Sequence, residues 1–241
     1  YTWEDLFVNE DGDEIEYKVV EKNVEGYSSN ATNGLTFANK VANVINTHAP
    51  EEFEILVKKV WDDNDILVSI AGGERYNVVL EEVTAVVKND ITKEFVSYAK
   101  ENNLECSFCE NKDGYTLTLK GKAAHAMEPE KGRNAGTYMC DFFKDYSKNT
   151  LVKYVGELHH LAHNMEKHDL YYNDYEMGPI TCNIGIIDIS KTSSRVTLDL
   201  RYPVRYDLEK YNKVFNEIVN KYDLVITAST NKGPHYVSPS D

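Results

Sequence analysis

The sequence predicts an α+β fold in which antiparallel strands are covered on one face by helices. Three observations predict it. Asn111-Lys-Asp-Gly114 is a tight-turn signal between two extended runs, Glu105–Phe108 and Tyr115–Lys120. Two further extended runs, 180–189 and 194–202, are joined by a short polar turn. Stretches of helical apolar spacing lie between and after these hairpins.

In chain order, Leu6-Phe7-Val8 leads into Asn9-Glu10-Asp11-Gly12, another hairpin signal, followed by Ile15, Tyr17 and Val19. Residues 26–34 are polar and read as a loop. Leu35, Phe37, Ala38, Val41, Val44 and Ile45 follow helical spacing. Pro50-Glu51-Glu52 has the chemistry of a helix start, which places a short helix towards Lys59. Residues 66–70 form a strand, Gly72-Gly73 bends the chain, and 76–87 is extended. A helix over 91–101 puts Phe95, Tyr98 and Ala99 on one face. After the second hairpin comes Gly121–Asn134, then a helix over 135–146 with Tyr138, Met139, Phe142 and Phe143 inward. Residues 151–167 read as a further helix. The strand pair follows, then an amphipathic helix over 207–222 and a last strand at 224–227. The segments 66–150 and 170–241 have similar content, which predicts two ferredoxin-like halves. Residues 1–65 are set apart as a hairpin and helical segment without an assigned role.

Composition excludes several functions. The chain has 241 residues, and 26 Lys plus Arg against 40 Asp plus Glu give a net charge of −14. Such a surface disfavours nucleic acid and anionic membranes as partners. No apolar run approaches the ~20 residues of a membrane span. The first residues have neither a basic n-region nor an apolar h-region, so no signal peptide is expected in this stretch. Four cysteines in a chain of this size fit a reducing cytoplasm and packing roles. Cys106 and Cys109 have CxxC spacing, but on a strand they point to opposite faces.

Candidate chemistry is sparse. His159 and His163 would share a face if helical, a spacing open either to metal binding or to ordinary packing. No phosphate loop and no nucleophile elbow is present. The polar stretch Gly121-Lys-Ala-Ala-His-Ala-Met-Glu-Pro-Glu-Lys-Gly-Arg-Asn134 joins a strand to a helix. It reads either as a plain connection or as a loop presenting reactive groups on a rigid scaffold. No complete active site emerges from residue types and spacing.

Five segments, in one order, resemble the carnosinase-like Xaa-His dipeptidases of the PepV type, in the di-zinc aminoacylase and carboxypeptidase superfamily. They are Gly72-Gly-Glu-Arg-Tyr-Asn-Val-Val79, Gly121–Pro129 with Gly132-Arg-Asn-Ala-Gly136, Met177-Gly-Pro-Ile-Thr-Cys-Asn183, Asp199-Leu-Arg-Tyr-Pro203 and Pro234-His-Tyr-Val237. The resemblance implies the lid domain of such an enzyme, separated from its catalytic domain. It implies that two zinc ions belong to that domain, with no metal and no cofactor held by the lid itself. His125 then occupies the place of the lid histidine that stabilises the tetrahedral intermediate. Arg201 matches the arginine that binds the substrate's C-terminal carboxylate. Asn77 matches a substrate-binding asparagine, although Asn77-Val-Val-Leu80 departs from the family's Asn-Met-Val-Pro. The implied partners are the catalytic domain and a dipeptide, in the cytoplasm; the alternative is a non-catalytic interaction or dimerisation module.

Overall fold

A computed structural model describes residues 64–112 and 114–234, and before them the strand segments lying between residues 9 and 57. The chain divides into two compact units, Tyr1–Ala49 and Pro50–Asp241. In the first, short antiparallel ladders join Asn9–Glu10 to Asp13–Glu14, Lys18–Val19 to Leu35–Thr36, and Tyr27–Ser29 to Asn46–His48. The first ladder pairs the two arms of the hairpin expected around Asp11-Gly12, residues that themselves lie outside the described ones. Tyr27–Ser29 is a strand inside the stretch expected to be loop. The helix expected over 35–45 begins as a strand at Leu35–Thr36, and its remainder lies outside the described residues.

The second unit contains β1 (Glu51–Val57), β2 (Leu67–Gly72), β3 (Glu82–Val87), α1 (Thr92–Glu101), β4 (Glu105–Asn111), β5 (Gly114–Lys120), α2 (Ala135–Phe143), α3 (Thr150–Leu158), β6 (Thr181–Ser190), β7 (Ser194–Arg201), α4 (Leu208–Lys221) and β8 (Leu224–Thr230). One eight-stranded sheet runs in the order β4-β5-β3-β2-β6-β7-β1-β8. Every neighbouring pair is antiparallel.

β1 corrects the helix expected from Pro50 towards Lys59. The run Glu51-Glu-Phe-Glu-Ile-Leu-Val57 carries helix-start residues, but Phe53, Ile55 and Val57 also alternate with Glu52, Glu54 and Leu56. Two partners decide between the patterns: β1 pairs with β7 on one side and β8 on the other. Ile55 is fully buried, and Glu54 lies 3.8 Å from Arg195. Local preference is a weak prior against two ladders. The sheet therefore draws on residues before 66.

The same alternation orients the rest of the sheet. In β3, Val83, Ala85 and Val87 are buried, whereas Glu82 is exposed and Thr84 and Val86 are half-buried. The buried face meets the helices through Phe95 and Ala99 of α1, Phe215 and Val219 of α4, and α2, where every residue except Asp141 is buried. Each fully buried side chain of this size contributes about 1.5–3 kcal/mol. α2 and α3 approach closely at Gly156, where a Cβ would lie 2.7 Å from the Cys140 carbonyl. Asn134, Asn149 and Asp207 cap α2, α3 and α4 by accepting from first-turn amides.

α3 stops at Leu158, and Leu161 has a positive φ of 54°. The helix expected over 151–167 is therefore short, and His159 and His163 do not share a helical face. His159 instead joins a buried cluster. Its Nε2 lies 2.9 Å from the Tyr154 hydroxyl, which lies 3.4 Å from His168 Nε2. Burial pushes His168 and His160 down to about 4, and holds His159 well below the usual imidazole range. The carboxylate of Asp141, 3.8 Å from His160, opposes the shift there.

A base whose folded pKa lies below its unfolded value costs stability as pH falls. Stability is intact above about pH 6.5 and declines towards pH 4. For His168 the shift to about 4 corresponds to a few kcal/mol, on the order of 3. Urea midpoints of the 241-residue chain should drop between pH 7 and 4.5, and His168→Gln should flatten that slope. A midpoint constant over this range would sink the argument.

Candidate functional site

Gly121–Asn134 is a closed loop. Lys122 and Arg133 exchange both backbone bonds at its neck, 2.9 and 2.8 Å. Gly121 permits this closure, because a Cβ there would sit 1.9 Å from the Arg133 carbonyl. The outgoing arm lies antiparallel to residues 77–81. The Val79 amide donates to the Ala124 carbonyl at 2.9 Å, and the Ala126 amide donates to the Asn77 carbonyl at 3.1 Å. This pairs Val78 with His125. A turn then closes as the Glu128 amide donates to the His125 carbonyl at 2.9 Å, and Pro129 starts a single 3-10 turn.

His125 is exposed, and its ring state follows from one contact. The Met127 amide donates to Nδ1 at 3.1 Å. A nitrogen accepting that bond carries a lone pair, so the neutral ring bears its proton on Nε2. Partial burial lowers the pKa, and the Arg201 charge lowers it further against the opposing pull of Glu128. At neutral pH the loop therefore presents a neutral imidazole with an Nε2–H donor.

Arg201 ends β7, opposite Thr181 of β6. The Thr181 hydroxyl donates to the Ala126 carbonyl at 3.4 Å, tying this strand end to the residue after His125. The guanidinium is mostly buried, at 17% side-chain exposure, against the fully buried carboxylate of Asp199. Nε and Nη2 donate to the two carboxylate oxygens at 3.3 and 3.2 Å. This side-on contact uses two of five N–H groups. The end-on fork of Nη1 and Nη2 stays geometrically open to a second carboxylate.

Asn77 is half-buried, and its backbone is fixed from two directions. Its carbonyl faces the His125 loop, while the Asn183 side-chain amide donates to the carbonyls of Tyr76 and Val78 at 3.1 and 3.0 Å. The structure thus gathers the backbones of Asn77 and His125 and the charge of Arg201 into one neighbourhood. His125 follows β5, in the strand group β4-β5-β3-β2; Arg201 ends β7, in the group β6-β7-β1-β8.

Reading residue by residue missed Asn183, Asn134 and Asp199. Each is a buried polar side chain in a segment that carried the resemblance. Asn183 had a signal: an amide inside the apolar strand run Thr-Cys-Asn-Ile-Gly-Ile-Ile needs partners if buried. Arg205 was also passed over. It pairs with the fully buried Asp174 at 2.8 Å, contacts Glu176, and lies over the Tyr175 ring at 4.3 Å. Among the described residues, no group of three or more His, Cys, Asp or Glu is arranged to hold a metal ion. Of the two charges acting on His125, the Arg201 cation outweighs the Glu128 carboxylate. These residues do not fit a zinc site.

Fold and loop together define an α+β domain that presents polar donors from one end of a sheet. Residues 110–226 match the peptidase dimerisation domain. Residues 1–44 match the Cna protein B-type domain. Among curated relatives, a protein of Staphylococcus haemolyticus named "Putative dipeptidase" is 29% identical over 203 residues, covering 78% of this chain and 43% of the relative. A protein of Staphylococcus aureus (strain USA300) with the same description is 28% identical over the same shares. The chain spans less than half the length of these relatives. No helix among the described residues is long and apolar enough to cross a membrane.

Proposed function

We propose that this chain is the lid of a zinc-dependent cytoplasmic dipeptidase, acting on a catalytic domain that lies outside these residues. The carrying observation is the Nε2–H tautomer of His125, fixed by the Met127 amide beside the cationic Arg201. A neutral donor held in place suits negative charge that develops only during reaction. The open fork of Arg201 suits the C-terminal carboxylate of a dipeptide. Asn77, strung between β6 and the His125 loop, offers a side-chain amide to the substrate backbone. The zinc ions would be held by the catalytic domain and supply the activated water. Lid closure would bring the His125 donor to the reacting carbonyl and exclude solvent.

The full-length protein, given free dipeptides, should release both amino acids. It should lose that activity to a chelator and regain it with zinc. The 241-residue chain alone should release none. A full-length protein that hydrolyses no dipeptide would overturn this reading in favour of a non-catalytic association module. That alternative is supported by the description of the matching family as a dimerisation domain.

A further inference from the structure

We infer that Asn183, seated by Asn134, is a positioning residue that sets Asn77 and, through it, the His125 loop. This rests on the reading of Asn77 and His125 given above.

The need for such a residue comes from the sheet. β2 pairs with β6 only from Ser69–Gly72 to Ile187–Ser190. Past Gly72 the chain leaves the ladder, and residues 76–79 run beside the front half of β6 outside any sheet ladder. In the same stretch the β6–β7 pairing shifts register between Ile184 and Ile186. At Gly185, inside that shift, a Cβ would lie 2.3 Å from the Tyr76 carbonyl oxygen and 2.4 Å from its Cα. The Tyr76 backbone therefore lies directly on the strand.

One buried side chain ties it to β6. Asn183 is 3% exposed. Both its N–H groups are used, on the carbonyls of Tyr76 and Val78, which flank Asn77. The carbonyl between them, that of Asn77, points the other way to the Ala126 amide. Successive carbonyls thus alternate between Asn183 and the His125 loop, and the peptide planes on both sides of Asn77 are pinned. The Asn183 oxygen accepts from Asn134 Nδ2 at 3.2 Å. Asn134 also donates to the Ile184 carbonyl at 2.7 Å and caps α2 by accepting from the Thr137 amide at 3.2 Å. Every donor and acceptor of the two amides has a partner, and flipping Asn183 would turn its oxygen against two carbonyls. Since Asn134 closes the loop carrying His125, one buried pair joins that loop, the Asn77 segment and β6.

The test is amide hydrogen exchange on the 241-residue chain. Asn183→Ala should speed exchange of the Val79 and Ala126 amides by about tenfold or more, from the loss of two hydrogen bonds. Amides in the β3–β5 ladder should change less than about twofold by the same reasoning, because local opening does not require global unfolding. Asn134→Ser keeps a good helix cap and removes the amide pair, so it should act in the same direction, more weakly. It keeps the question answerable if Asn183→Ala fails to fold. Uniform acceleration across the sheet, or none at Val79 and Ala126 in either variant, would overturn the inference. In the full-length protein with a free dipeptide, Asn183→Ala and Asn77→Ala should be strongly non-additive in kcat/KM. Unchanged kinetics in Asn77→Ala beside local exchange changes in Asn183→Ala would support the positioning and remove only the substrate role of Asn77.

Discussion

His125→Ala in the full-length protein should lower kcat by about 10²–10³-fold while moving KM only slightly. The asymmetry follows from when the donor is used. A neutral imidazole N–H gains little from an uncharged substrate carbonyl, and far more from the oxyanion that replaces it. His125→Gln keeps an N–H donor without the ring, so it should recover part of the loss. The pH profile adds a sign. The pKa of His125 is lowered by burial and by Arg201, so the ring is neutral at and above neutral pH. Protonation would place a hydrogen on Nδ1 facing the Met127 amide, so it should disturb the turn that orients the ring. A rate limb attributable to His125 therefore belongs below the usual imidazole pKa, and it should vanish in His125→Gln. An unchanged kcat in His125→Ala would remove this residue from the mechanism.

Much of the fold was legible because the second unit repeats simple signals. The Asn111–Gly114 hairpin, the helices α1, α2 and α4 and the β6–β7 pair appear where periodicity and turn chemistry put them. What failed was arbitration between two valid local patterns. Glu51–Val57 fits a helix start and also a strand, and only its seat between β7 and β8 decides. The end of α3 failed for a related reason. Leu151 to Lys167 is apolar enough to continue as helix, but His159 and His168 turn inward to share the Tyr154 hydroxyl. That cluster packs on Phe215 and Tyr222, which lie far along the chain. For the site, residue spacing alone left Gly121–Asn134 as a connection between a strand and a helix. The resemblance singled out His125, Arg201 and Asn77, whereas the supporting amides and Asp199 became visible only through their bonds.

Arg201 shows how such a support changes an expected result. On the role proposed from its motif the arginine would clamp the substrate, and its removal should raise KM alone. Its side-on contact with Asp199, a carboxylate at 0% exposure, adds a structural duty. Arg201→Ala removes the cation from a buried ion pair and should destabilise the fold by about 3–5 kcal/mol. Loss of activity in that variant would then report unfolding as much as binding. Arg201→Lys separates the two effects. A lysine keeps a positive charge near Asp199 but has no second fork for a substrate carboxylate. Its melting temperature should stay close to that of the unaltered chain, while KM for a free dipeptide rises by about tenfold or more, the loss of one charge-assisted contact. The preference for a free dipeptide over its C-terminal amide should shrink in the same variant, because the amide never used the fork. Equal hydrolysis of both compounds by the unaltered full-length protein would remove the clamp. A large drop in melting temperature for Arg201→Lys would show that Asp199 requires the fork geometry and not the charge alone.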